Sequence, residues 1–319
     1  MKKMFAMLLA LATMFAMVSC GGGEGGSSDK LTFTTGGETG TYYAYGGVIA
    51  QSVTANTSTS VTAVSSDGSK ANVLLLAAGD AQLGFCQSDV MAYAYNGTST
   101  FADVGKVDTF STVANLYMEQ VQIVTCDPSI KTVADLKGKK VSIGAAGSGV
   151  YFNAIDILGA YGLTENDIVA NFQNFGDSAD SLTDGTIDAA FIVAGAPTNA
   201  ITSLATGKAI YLVNLDDEHI DKLMETSPYY SKAVIPASAY GLASDTTTVA
   251  VGAVVIARDD VSEDAVYNFV SDLFANKDSL AHGKAAELDL NFAANVTAVP
   301  YHPGAAKFFS EQGITVATK

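Results

Sequence analysis

Gly144-Ala-Ala-Gly-Ser-Gly-Val-Tyr-Phe-Asn153 follows an apolar stretch at 140–143 and opens an amphipathic one that runs from Ala154 through Leu158 to Leu163. A glycine-rich turn between a strand and a helix leaves several backbone N–H groups without partners. They aim at one point, with the positive end of the helix behind them. The expected product is an anion site made of backbone. A second turn of the same kind, Thr35-Gly-Gly-Glu-Thr-Gly-Thr-Tyr-Tyr43, follows the apolar stretch 31–34. Two such turns facing each other across a cleft would form a ligand clamp.

Outward from these turns, short apolar strands alternate with helical stretches, the pattern of parallel sheets covered by helices. Strands are predicted at 31–34, 60–64 and 83–86, with helices at 42–54, 70–78 and from Val90. The Ser and Asp residues of Ser65-Ser-Asp-Gly-Ser69 are natural N-caps for the second helix. The plan then repeats: strand 140–143, the glycine turn, a helix, helix 178–183 and strand 189–193. Leu76, Gly79 and Phe85 share their spacing with Leu182, Gly185 and Phe191, which points to two similar lobes. Two longer apolar strands, 119–126 and 248–257, bracket the second set. If both cross between lobes they make a double hinge, and the chain from Arg258 returns to the first lobe.

The chain starts with Lys2 and Lys3, an apolar run from Met4 to Met17, and Met17-Val-Ser-Cys20. This reads as an export signal over residues 1–19. A cysteine after a small residue resembles a bacterial lipobox and predicts a lipid on Cys20; an ordinary signal peptide is the alternative. Residues 20–30, rich in Gly and Ser, would then be a flexible tether. The remaining ~290 residues suit two lobes better than one core. The boundaries expected are 31–120 plus 256–319 for lobe 1, and 121–255 for lobe 2. The protein is therefore expected outside the cytoplasm, held to a membrane only by its lipid.

Net charge is −16, with 17 basic against 33 acidic residues. No basic cluster offsets this, so nucleic acid is excluded as a partner. Arg258 is the only arginine, so an anionic ligand must rely on backbone donors instead of a guanidinium fork. Cys86 and Cys126 end apolar strands; free buried thiols are favoured over a disulfide. The run Gly144-x4-Gly149 begins like a phosphate loop but continues Val150-Tyr151 where Lys-Ser/Thr is required. Gly147-Ser-Gly149 is not a hydrolase elbow, and His219, His282 and His302 fit no zinc spacing. His302, before Pro-Gly, reads as a turn residue. No catalytic set and no cofactor are expected.

Several short motifs occur in a fixed order. They are the glycine turn with Tyr42-Tyr43, Ser69-Lys-Ala-Asn72, Gln87-Ser-Asp89, Leu116-Tyr-Met-Glu119, Gly147-Ser-Gly149, Gly195-Ala-Pro197 and His302-Pro-Gly-Ala305. Over residues 31 to about 313 the chain resembles the TAXI family of solute-binding receptors of TRAP transporters. The resemblance implies an α/β, two-lobed periplasmic-binding-protein fold, type II-like, with two hinge-crossing strands and a ligand cleft between lobes. It also implies delivery of a small carboxylate or glutamate-like amino acid to a sodium-coupled TRAP-type permease. Val150 stands where that family often has Thr, which removes a hydroxyl from the cleft.

The ligand-binding set expected is Gly37, Thr39, Gly40, Tyr42, Tyr43, Ser66, Gln87, Asp89, Glu119, Ser148, Gly149, Val150, Asn153 and Ala196. Ser148 and Gly149 would hold a carboxylate, unless they only form a tight turn. Adjacent Tyr42 and Tyr43 point to different faces, so one packs inward while the other lines the cleft. Gln87 and Asp89 lie past a strand end, where open α/β sheets bind ligands, though Asp89 also suits a helix cap. Glu119 at the cleft floor suits a ligand ammonium; its alternative is an exposed strand-end acid. A two-lobed enzyme and a surface-anchored sensor or adhesion module are the competing function classes.

Overall fold

The computed structural model describes residues 29–319; the signal, Cys20 and nearly all of the tether lie outside the described residues. The first half runs β1 (Lys30–Thr34), α1 (Thr41–Asn56), β2 (Ser60–Val64), α2 (Ser69–Ala78), β3 (Leu83–Gln87) and α3 (Ser88–Asn96). The long strand β4 (Phe110–Thr125) leads to β5 (Lys140–Ser142), α4 (Val150–Ala160), β6 (Val169–Asn171), α5 (Phe175–Asp184) and β7 (Ala189–Ala194). Then come α6 (Asn199–Gly207), β8 (Tyr211–Leu212), α7 (Asp217–Thr226), β9 (Ser231–Ile235) and the second long strand β10 (Thr246–Arg258). The chain ends with α8 (Glu263–Ala275), α9 (Leu290–Ala293) and α10 (Pro303–Glu311).

One sheet carries the order β2-β1-β3-β10-β4-β7-β5-β6. Each end is a parallel trio of the same plan: β1 lies between β2 and β3, and β5 between β6 and β7. The Leu–Gly–Phe spacing marks this repetition. Gly79 and Gly185 close α2 and α5 at φ 86° and 69°, where a side chain would be strained. The strands that follow bury Phe85 and Phe191 completely.

β4 and β10 join the two trios. β10 pairs antiparallel with β3 and with residues 110–120 of β4, whereas residues 120–125 of β4 pair with β7. Two register shifts, between Ala253 and Val254 and between Val255 and Ile256, bend the shared ribbon. Both strands are longer than the predicted 119–126 and 248–257, because residues 110–118 of β4 also pair with β10 and Thr246 and Thr247 pair with β9. The apolar core divides accordingly. Leu31, Phe33, Tyr45 and Phe85 pack with Phe269, Tyr301 and Phe309 from the returning C-terminal segment. Val141, Ile157, Phe191 and Val251 form a separate cluster. Cys86 and Cys126 are both free thiols. Among the described residues, no helix is long and apolar enough to cross a membrane.

Candidate functional site

A cavity of about 60 Å³ lies where the two trios meet, at the carboxyl ends of their strands. At ~10–15 Å³ per water it has room for roughly four to six waters or one small solute, not a nucleotide. Both glycine turns reach it, through Gly36, Gly37 and Gly40 on one side and Ser148, Gly149 and Val150 on the other.

Helix starts dominate the wall. Gly40, Gly68, Gln87 and Gly149 are the N-caps of α1, α2, α3 and α4; all four line the cavity and none caps its helix with a side chain. The helices α7, α8 and α10, elsewhere in the fold, are capped by Asp216, Ser262 and His302. The first N–H groups of a helix have no partner inside it, so these ends bring donors and partial positive charge to one space, although Ala71 N of α2 is taken by Gly147 O at 3.0 Å. Asn174, N-cap of α5, also lines the cavity but spends its side chain on Asp177 N (2.9 Å). Among the described residues, no lysine, arginine or histidine lines the cavity. Arg258, the last residue of β10, binds Gly79 O, Ala81 O and Asp260.

Glu119 is the acid at the floor. It is 2% exposed and accepts a hydrogen bond from Tyr42 Oη at 2.7 Å. Tyr42 itself stacks on Phe85, ring centres 4.5 Å apart, which fixes the hydroxyl. Burial pushes the Glu119 carboxyl up to about 8, with the Tyr42 hydrogen bond partly opposing it. Asp89 is fully buried and raised to about 7, again by burial first. It does not line the cavity. It sits in the first turn of α3 and accepts from Asn153 Nδ2 at 3.0 Å.

Of the predicted set, Gly37, Gly40, Tyr42, Ser66, Gln87, Glu119, Ser148, Gly149 and Val150 line the cavity. Tyr43 points away and is 37% exposed. Thr39 and Ala196 lie outside the wall: Thr39 O accepts from Ala200 N (3.3 Å) and Ala196 N donates to Gln120 Oε1 (3.0 Å). Asn153 stands behind the wall, bonded to Gln87. Ser148 is present without being a free donor, since its N and Oγ both bond Ala145 O, at 2.9 and 2.7 Å. The donors facing an anion are therefore those of the first α4 turn. Asp67, Ser69, Asn174, Phe175, Val193 and Ala194 also line it and were not in the predicted set. Asp67 and Ser69 were in view as helix caps. The others come from α5 and β7, placed here only by the tertiary fold.

This architecture is the two-lobed periplasmic-binding-protein fold. It is shared at a TM-score of 0.52 with the alkanesulfonate-binding protein SsuA of Xanthomonas axonopodis pv. citri bound to MOPS, 14% identical over 89% of this chain and 84% of that one. The protein PhnD1 of Prochlorococcus marinus in complex with methylphosphonate matches at 0.53, with 10% identity over 83% of this chain and 89% of that one. A putative L-cystine ABC transporter protein of Listeria monocytogenes matches at 0.50, with 14% identity, 85% and 99% covered. The chain belongs to the NMT1-like family, which it matches over residues 33–313. That membership corrects the resemblance to TAXI receptors of TRAP transporters drawn from the short motifs. The motifs carry the places where this fold turns strand into helix, such as Gly40, Gln87 and Gly149. They therefore follow the architecture and do not distinguish one transporter class from another.

Proposed function

We propose that the chain is the solute-binding receptor of an import system, and that it holds a small anionic solute without transforming it. The observation that carries this reading is the set of four uncapped helix starts and one buried carboxylate around a single cavity without basic side chains. A glutamate-like amino acid fits both features. Its carboxylate faces the first turn of α4 at Gly149 and Val150, and its ammonium replaces solvent at Glu119. A cation there would pull the raised Glu119 carboxyl back to its ionised form. A plain dicarboxylate is the second reading, favoured by the same raised value: a protonated Glu119 can donate to a second carboxylate.

The partner is a membrane permease. The structural neighbours include an alkanesulfonate-binding protein, a protein in complex with methylphosphonate and a putative L-cystine ABC transporter, which supports an ABC-type permease and an anionic cargo. Export by residues 1–19 and a lipid on Cys20 would keep the receptor outside the cytoplasm beside that permease. Calorimetry with glutamate and glutarate on the wild type and Glu119→Gln tests the ligand assignment. Removing a desolvated charge partner should weaken glutamate by about 2–5 kcal/mol and leave glutarate bound. Unchanged glutamate affinity in the variant would remove the ammonium from Glu119.

A further inference from the structure

The amide of Gln87 has its direction set from outside the cavity. Tyr230 Oη gives its one proton to Asp156 Oδ2 at 3.0 Å, so it accepts from Asn153 Nδ2 at 2.7 Å. The other Asn153 amide hydrogen goes to Asp89 Oδ2 at 3.0 Å. With both hydrogens spent, Asn153 offers Gln87 only an oxygen, and Gln87 Nε2 donates to it at 3.0 Å. Turning the Gln87 amide over would set two oxygens against each other. Turning Asn153 as well would put its oxygen against Asp89 Oδ2, which cannot donate once Asp89 is ionised, so above about pH 7 the relay has one direction.

Gln87 Oε1 is the end of this relay. The residue is 2% exposed, lines the cavity, and its oxygen has no hydrogen-bond partner. Gly149 makes room for it: a Cβ at 149 would lie 1.7 Å from that oxygen. A buried acceptor without a donor is a standing cost that a donor on the solute removes. We propose that Gln87 is the specificity-determining acceptor of the cavity, so that the solute carries an amino, amide or hydroxyl donor beside its anionic group. The proposal rests on the receptor reading above, and it adds a requirement that Glu119 and the helix ends do not impose. The relay also joins the halves, since Gln87 ends β3 and Asp89 lies in the first turn of α3, while Asn153 and Asp156 belong to α4.

Two measurements test it. Joint X-ray and neutron crystallography of deuterium-exchanged protein, which needs no solute, should place deuterons on Gln87 nitrogen towards Asn153, and on Asn153 nitrogen towards Asp89 and Tyr230. A reversed amide at either residue overturns the proposal. Calorimetry then compares probe pairs: glutamate with glutarate, 2-hydroxyglutarate with 2-oxoglutarate, and taurine with ethanesulfonate. The donor-bearing member should bind at least about tenfold more tightly. The hydroxy/oxo pair separates Gln87 from Glu119, because its members carry the same charge. Gln87→Met should erase the preference within each pair, and Asn153→Leu, which frees the Gln87 amide to turn, should narrow it. Equal or tighter binding of the donorless members overturns the proposal. Failure of all six probes to bind would instead reject the solute class proposed for the receptor, with the neutron map still deciding the relay.

Discussion

Glu119 ties the chemistry of one residue to the stability of the whole chain. Its carboxyl titrates near 8 in the fold against an ordinary value of 4.5, so the folded state holds the proton more tightly. Stability from this group is therefore full below about pH 4.5 and is lost as the pH rises through 8. Glu119→Gln has no such proton. Across that window the wild type should lose about 1.4 kcal/mol per pH unit relative to the variant. Urea unfolding of both proteins from pH 5 to 9 reads this directly, and a flat difference would mean that Glu119 is ionised in the fold. Gln87 and Glu119 were legible in the sequence because each stands at a strand end or crossing, where the fold places ligands. Asp89, two residues from Gln87, was equally visible, yet its side chain turns behind the wall to Asn153. Asn174 and Phe175 were not legible: they meet Gly37 and Gly40 only after the halves come together.

Among the elements, the alternation of strands and helices was readable, whereas helix starts and the long strands were misjudged. The serines and aspartate before α2 do not cap it; Gly68 does, with φ 101°, and Ser66 Oγ instead accepts from Gly68 N and donates to Asn72. The helix after the second glycine turn starts at Val150 and not at 154, because Gly149 already has helical angles (φ −72°, ψ −22°). Residues 110–118 were missed as part of β4. They are buried almost throughout, so no alternation shows, and Ser111, Thr112 and Asn115 interrupt the apolar run. The uncapped starts make a prediction at this scale. Gly40 is extended, at φ −99° and ψ 165°, the geometry of a side-chain N-cap. Gly40→Asp supplies α1 with a carboxylate of its own. Affinity for an anionic solute should fall at least about tenfold while the unfolding temperature holds or rises slightly. A large loss of unfolding temperature would instead report a clash with Gly37 O, 3.2 Å from the new Cβ.

At the level of the molecule, the halves are latched by few bonds. Ala71 N meets Gly147 O at 3.0 Å, Ala200 N meets Thr39 O at 3.3 Å and Thr41 Oγ1 meets Gly195 O at 3.2 Å. Asn153 bonds both Gln87 and Asp89 (3.0 Å each), Tyr93 Oη meets Ser227 Oγ at 3.0 Å, and Phe152 of α4 packs with Val73, Leu76 and Phe101. Continuity between the halves comes from β4 and β10, bent at their register shifts. Opening would break these six hydrogen bonds at about 1 kcal/mol each and withdraw Phe152 from its cluster, and a solute bound between the halves shifts the balance further towards the closed form. X-ray scattering with and without a saturating bound probe should therefore show a smaller radius of gyration when loaded. Superimposable curves would describe a rigid cleft.

The four helix ends that face one space have a consequence for any affinity measured on this protein. On the proposed reading, such a space should also take small background anions, so acetate, sulfate or phosphate should compete with the cargo. Loading is then an exchange of one anion for another. The apparent constant reports the buffer as much as the cargo, and outside a cell the background electrolyte sets the threshold at which scarce cargo displaces it.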